Sequence, residues 1–204
     1  MNLGARYWGF RKQAAWLADS YLASLDESND CSEVHLLGRE NASVQLQDSW
    51  SNFCRDVIVR SWRGGVHTLD GNFIPRRTGD TSPRAALAQL RSTYSGKAKK
   101  AWYWEPKWFD PIEAIEAASR LAIPNLAEVS AGVGLTPSPL AELRAVRNYF
   151  AHRGEQSVNN LSEWVARPTT DAVHRHVSDS TQGGALRFER WVAQLDLMAR
   201  ATVQ

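Results

Sequence analysis

The sequence predicts a mostly α-helical protein organised around one amphipathic helix near residue 150. Three observations carry that prediction. Between 140 and 154, in L-A-E-L-R-A-V-R-N-Y-F-A-H-R-G, the apolar residues Leu140, Leu143, Val146, Phe150 and Ala151 recur at helical spacing. From about Arg39 to Trp62, residues Val44, Leu46, Trp50, Phe53, Cys54, Val57, Ile58 and Ser61 draw a second stripe with the same period, stopped by Gly64-Gly65. Ser82-Pro83 and Asp110-Pro111 each place a capping side chain before a proline, which is favoured in a helix's first turn.

The elements follow in order. Trp8, Ala15, Trp16, Leu22 and Leu25 lie among polar residues in a loosely helical pattern that ends at D-E-S-N-D, which predicts a first helix over 6–25. The long second helix comes next. Residues 66–79 read as mixed structure, with L-D-G-N at 69–72 as a turn and Pro75 preventing a long element. A short helix is expected from Ser82 through Tyr94.

The segment S-G-K-A-K-K-A-W-Y-W-E-P-K-W-F-D-P then packs Lys97, Lys99, Lys100 and Lys107 together with Trp102, Tyr103, Trp104, Trp108 and Phe109. Flat rings interleaved with ammonium groups suit single-stranded nucleic acid, because bases stack on the rings while the cations track phosphates. With nine Trp in the chain, most must be buried, so Trp102 and Trp104 are read as core rings. The lysines remain the candidates for contact.

Asp110-Pro111 opens a helix with Ile112, Ile115, Ala118 and Leu121 on one face, ended by Pro124. Asn125 caps a further short helix through Val129, and G-V-G-L-T-P-S-P at 132–139 forms a turn, with Thr136 or Ser138 capping the organising helix. After Gly154 come a polar segment, a short amphipathic piece with Leu161, Trp164 and Val165, and Pro168. Gly183-Gly184 leads to a final helix carrying Leu186, Trp191, Leu195 and Met198.

The whole is large enough for one domain over 1–204 with an irregular insertion or long connection at about 64–110, since 43% of its residues are hydrophobic. No apolar run approaches membrane-spanning length, and M-N-L-G-A-R-Y-W lacks the apolar centre of a signal peptide, so a cytoplasmic protein away from membranes is expected. Cys31 and Cys54 are too few for a disulfide scaffold or a structural zinc site. Cys54 falls among core positions and Cys31 in a polar turn. The net charge of +2 hides a basic stretch: Arg76, Arg77, Arg84, Arg91, Lys97, Lys99, Lys100 and Lys107 stand against Asp80 and Glu105, which fits contact with a polyanion over a limited surface.

Candidate chemistry concentrates at Arg147, Asn148 and His152. An Arg and a His at this spacing occur by chance about 0.5 times in such a composition, whereas requiring Asn directly after the Arg lowers that to about 0.02. Looser pairs at Arg60 with His67 and Arg167 with His174 lack the Asn. Helix capping alone accounts for His152, Arg153 and Gly154, because cations complement the helix's negative end and Gly suits the left-handed residue that follows. It leaves Arg147 and Asn148 unexplained.

Arg147-Asn148-x-x-x-His152 resembles the R-N-x-x-x-H motif of the HEPN family, small helical domains that include metal-independent ribonucleases of toxin and anti-phage systems. The W-x-x-F-x-R pattern at Trp50, Phe53 and Arg55 looks like the long second helix of several of its members. The resemblance implies a HEPN-like bundle that forms a homodimer, in which two motif helices meet across a two-fold axis and pool their residues into one cleft. Family toxins paired with nucleotidyltransferase antitoxins carry a Tyr two residues after the motif His; here that residue is Gly154.

Metal-free RNA cleavage requires removal of the 2′-hydroxyl proton, stabilisation of charge on the phosphorane and protonation of the 5′-oxygen. His152 fits the acid or base, Arg147 a bidentate phosphate fork, and Asn148 a hydrogen bond to the phosphate or the imidazole. A 2′,3′-cyclic phosphate follows from that mechanism. Arg144, Arg153, Lys97, Lys99 and Lys100 are expected to hold RNA, with no cofactor or metal, and an antitoxin or defence-system protein is an expected partner.

Two other readings are open. One is a catalytically silent module of the same fold that binds nucleic acid or a partner protein. The other is a metal-dependent hydrolase using His174 and His176, which a strand would place on one face with Asp171 as third ligand. With no other convincing ligand nearby, exposed loop residues are the preferred reading of that pair.

Overall fold

A computed structural model of the chain describes residues 2–25, 33–94, 104–135, 137–181 and 184–204. Among them the chain forms α1 (Leu3–Ala23), α2 (Glu33–Arg63), β1 (Val66–His67), β2 (Phe73–Ile74), α3 (Pro83–Thr93), α4 (Pro111–Leu121), α5 (Leu126–Val133), α6 (Pro137–His152), α7 (Glu155–Leu161), α8 (Thr170–Ser178) and α9 (Arg187–Thr202). The expected mostly helical class is what the chain adopts. Cys31, Trp102, Tyr103, Thr136 and Gly183 lie outside the described residues, as do Lys97, Lys99 and Lys100.

The contacts divide the chain into two compact units. The first comprises Met1–Phe10, Trp50–Leu135 and Leu197–Gln204; the second comprises Arg11–Ser49 and Thr136–Asp196. Helices α1, α2 and α9 contribute residues to both.

In the first unit the core gathers Leu3, Tyr7 and Phe10 with Trp50, Phe53, Cys54, Val57 and Ile58 of α2. The Phe10 ring meets Trp50 edge-on at 5.9 Å and Phe53 at 5.2 Å. Burial pushes the Cys54 thiol well above its usual range, as expected of a core cysteine. The L-D-G-N turn closes a hairpin pairing Val66 with Ile74 and His67 with Phe73, and Gly71 supplies its positive φ of 88°. Ser82 caps α3 by accepting from Ala85 N, and Asp110 caps α4 by accepting from Ile112 N and Glu113 N.

The described end of the Lys/aromatic segment is anchored to α2. Arg55 donates to both Glu105 oxygens at 2.7 and 3.0 Å, Trp108 Nε1 donates to Glu105 at 2.9 Å, and Arg91 Nε to Trp104 O at 2.8 Å. Trp108 is buried, and Trp104 is half-buried with its ring 4.7 Å from Tyr94. Gly132 of α5 lies where a Cβ would fall on the Thr202 backbone, so only glycine permits this approach to the end of α9.

In the second unit Ala14, Leu17 and Tyr21 of α1, the first half of α2, α6, α7, α8 and the start of α9 enclose Leu143, Val146, Tyr149, Phe150, Phe188, Trp191 and Leu195. Tyr21 stacks on Phe188 at 4.3 Å with rings 4° from parallel, and its hydroxyl meets Ser178 Oγ at 2.8 Å. Burial pushes the Tyr21 phenol up to about 12.

Several expectations need correction. The buried stripe of α1 is Leu3, Tyr7, Phe10, Ala14, Leu17 and Tyr21, while Trp8 and Trp16 are 55% and 56% exposed. Tyrosines supply the inner stripe, a pattern that weighting by tryptophan misses. Helix α2 begins six residues before the expected start, at Glu33. In α4, Ala114 and Ala117 face inward and Ile112 is exposed, because small residues let α3 and α5 pack closely. Asn125 precedes α5 without a side-chain cap bond, and α5 continues to Val133. Ser138 lies inside α6 rather than at its cap. The polar run after Gly154 is helix α7. The left-handed residue is Arg153, at φ 45°, and Gly154 is extended at the start of α7.

Candidate active site

Helix α6 buries Leu140, Leu143, Val146, Tyr149 and Phe150, which fixes its rotation and turns Arg144, Asn148 and Ala151 away from the core. Arg147 is a boundary residue with one quarter of its side chain exposed. Its Nη1 donates to Asn148 Oδ1 at 3.4 Å, and its Nη2 lies 3.6 Å from Asp48 Oδ1 on α2. Asp48 is more than half exposed, so this ion pair is weak and open to exchange with another anion.

Asn148 and Arg144 line one side of an open cavity of about 280 Å³, and Asn160, Glu163 and Trp164 line the other. Helix α7 and the turn after it therefore complete the cavity that α6 begins. Trp164, half-buried, supplies an aromatic wall to the cavity that Arg144 also lines.

His152 is the last residue of α6 and is exposed. It sits about 140° around the helix from Arg147 and about 40° from Asn148. The structure thus joins Arg147 to Asn148 by a hydrogen bond and Asn148 to Arg144 by a shared cavity, while His152 stands at the helix end. Arg153 is directed elsewhere: its Nη2 contacts both Glu40 oxygens at 2.7 Å.

No family model matches the chain, and no curated protein or solved structure matches it either.

The two histidines of T-D-A-V-H-R-H overturn the expectation of a strand or an exposed loop. Thr169 accepts from Ala172 N at 3.2 Å and Asp171 occupies the first turn, so the segment starts a helix, α8. On a helix, residues two apart point about 200° from each other. His174 is buried with its Nε2 3.2 Å from Glu40 Oε1, and His176 Nε2 lies 2.9 Å from Glu142 Oε1. The two rings serve separate carboxylates. Among the described residues no group of three or more His, Cys, Asp and Glu gathers as a metal site.

Those carboxylates are the residues that sequence reasoning passed over. Glu142 is buried on α6 and also accepts from Arg187 Nη1 at 2.7 Å and Trp191 Nε1 at 2.8 Å. Burial works to raise its pKa, but the donors from His176 and Trp191 and the charge of Arg187 together hold it below the ordinary carboxylate range. Glu40 accepts from Arg153 and lies 3.2 Å from His174 Nε2, and the Phe150 ring lies 5.1 Å from His174. The signal for Glu142 was present: it lies one turn before Val146 on the inward stripe, where a carboxylate requires buried donors. Together Glu40 and Glu142 hold α6 between α2, α8 and α9 within this unit, which sets where Arg147 and Asn148 stand.

Proposed function

We propose that this protein is a metal-independent endoribonuclease whose catalytic groups are Arg147, Asn148 and His152. The carrying observation is the Arg147–Asn148 hydrogen bond on α6, beside an open cavity that Arg144 and Trp164 line. A phosphate displaces the exposed Asp48 from Arg147 and takes the guanidinium as a fork. Asn148, already accepting from Arg147, directs its amide N–H to a phosphate oxygen. A base stacks on Trp164 while Arg144 meets the next phosphate.

His152 then removes the 2′-hydroxyl proton, the 2′-oxygen attacks phosphorus, and the 5′-oxygen leaves with a proton returned to it. The bond to the 5′-oxygen breaks as the bond to the 2′-oxygen forms, leaving a 2′,3′-cyclic phosphate and a 5′-hydroxyl. Since Arg147 and His152 diverge around the helix, the reading includes a homodimer in which His152 of one chain meets Arg147 of the other. The HEPN resemblance supplies the setting, a toxin or anti-phage effector acting in the cytoplasm and restrained or triggered by a partner protein.

The test is incubation of a mixed tRNA and mRNA pool with the protein in excess chelator, followed by analysis of product ends. Cyclic phosphate ends that vanish with Arg147→Ala are expected. Inert protein that still binds RNA would replace this reading with a silent binding module, and cleavage only when metal is restored would replace it with a metal-dependent hydrolase.

A further inference from the structure

Helix α2 ends with Arg60 and Arg63 in its last turn, and Gly64 and Gly65 follow with φ of 69° and 67°. The chain then returns along the helix end through the hairpin, with Gly65 N donating to Ile74 O at 2.8 Å and Arg77 N to Arg63 O at 3.0 Å. Gly64 is required there, since a Cβ would fall on Pro75 O. This close approach sets Arg76 against the helix end. Arg60, Arg63 and Arg76 thereby line a partly enclosed cavity of about 80 Å³ floored by Gly64, Gly65 and Val66.

The charge balance is lopsided. Asp56, one turn before Arg60 on α2, is bonded to Arg60 at 2.7 Å and to Arg6 at 2.9 Å. Of the three guanidinium groups that line the cavity, those of Arg63 and Arg76 are thus not held by a carboxylate among the described residues. Cations at a helix C-terminus complement its dipole, but here the carbonyls of Arg60 and Arg63 already accept from Gly64 N and Arg77 N, and Arg76 is not on the helix. Like charges converging on one small space repel unless an anion occupies it.

We propose that this cavity binds a dianionic phosphate: free phosphate, or the terminal phosphate of a nucleotide or of an RNA 5′ end. Its volume admits a tetrahedral oxyanion of five heavy atoms and excludes a nucleoside, so any organic part of the ligand lies outside. A dianion matches the excess of guanidinium groups better than an internal phosphodiester, which carries one charge and needs an exit for two ester links. Arginine forks supply the geometry. The site belongs to the first unit and is independent of the nuclease reading.

The test is calorimetric titration and thermal melting with inorganic phosphate, adenosine 5′-monophosphate, and one short RNA carrying either a 5′-phosphate or a 5′-hydroxyl. His152→Ala protein is used in the RNA arms so that cleavage does not intervene. Phosphate is expected to raise the melting temperature. Arg76→Gln and the double variant Arg63→Gln, Arg76→Gln should lose affinity by about tenfold or more, while melting no lower than the wild type without phosphate. Tighter binding of the 5′-phosphorylated RNA than of the hydroxyl form assigns the ligand to an RNA end. Equal binding of the two RNAs, with phosphate or the mononucleotide saturating, assigns it to the small molecule. The proposal is overturned if phosphate does not saturate the protein at millimolar concentration, or if the double variant binds it as the wild type does.

Discussion

At the scale of single residues, Glu142 carries more of the site's geometry than any residue of the motif. Three donors converge on it from His176, Arg187 and Trp191. Replacing it with Ala takes this buried acceptor from the buried Trp191 indole, the His176 imidazole and the partly exposed Arg187 guanidinium, at a cost of about 3 kcal/mol, the low end for a buried pair. Glu142→Ala is therefore expected to melt far below the wild type in a chemical denaturation series. A second consequence concerns acid. Burial, opposed by the Glu40 carboxylate, depresses the His174 pKa below its usual 6.5. Below that value the unfolded chain takes up a proton that the folded ring resists, so stability present above about pH 6.5 falls as pH drops toward the folded pKa. The His174→Asn variant keeps a donor for Glu40 and does not titrate. Its melting temperature is expected to fall less than the wild type's between about pH 7 and pH 5, and an equal fall would remove His174 as the cause.

At the scale of elements, glycines separate close packing from simple helix propensity. In α5, Gly132→Ala drives a methyl into the Thr202 backbone and is expected to destabilise by more than about 2 kcal/mol, as overpacking does. In α2, nothing lies within 4 Å of a Cβ added at Gly38, so Gly38→Ala is expected to stabilise by about 0.5–1 kcal/mol. Paired denaturation curves check both signs. The capped starts at Ser82 and Asp110 were legible because a short side chain before proline states its role locally. The inward face of α1 was not, because Tyr7 and Tyr21 fill core positions that Trp8 and Trp16 were expected to hold. The α8 histidines were misread for the opposite reason. Their partners, Glu40 and Glu142, lie 134 and 34 residues away, and no local pattern announces a contact at that separation.

At the scale of the whole molecule, the helical class and the organising helix were legible from periodicity, whereas the division into two compact units was not, because α1, α2 and α9 run through both without a change in composition. Of the candidate site, Arg147, Asn148 and Arg144 were legible as a polar cluster on one amphipathic helix. The cavity wall from Asn160, Glu163 and Trp164 was not, because the polar run that follows Gly154 gave no sign of α7. No helix among the described residues is long and apolar enough to cross a membrane. If the polar end of α6 cuts RNA as proposed, His152 is dispensable for folding and required for chemistry. The exposed ring supports the first half, since removing an exposed side chain away from packing changes stability by only about 0.5 kcal/mol. The deciding measurement is single-turnover cleavage of RNA in chelator by the wild type and by His152→Ala, with melting curves and sedimentation run on both. The two proteins are expected to be equally stable and equally assembled, with rates that differ by about a hundredfold or more. Equal rates would contradict the proposal.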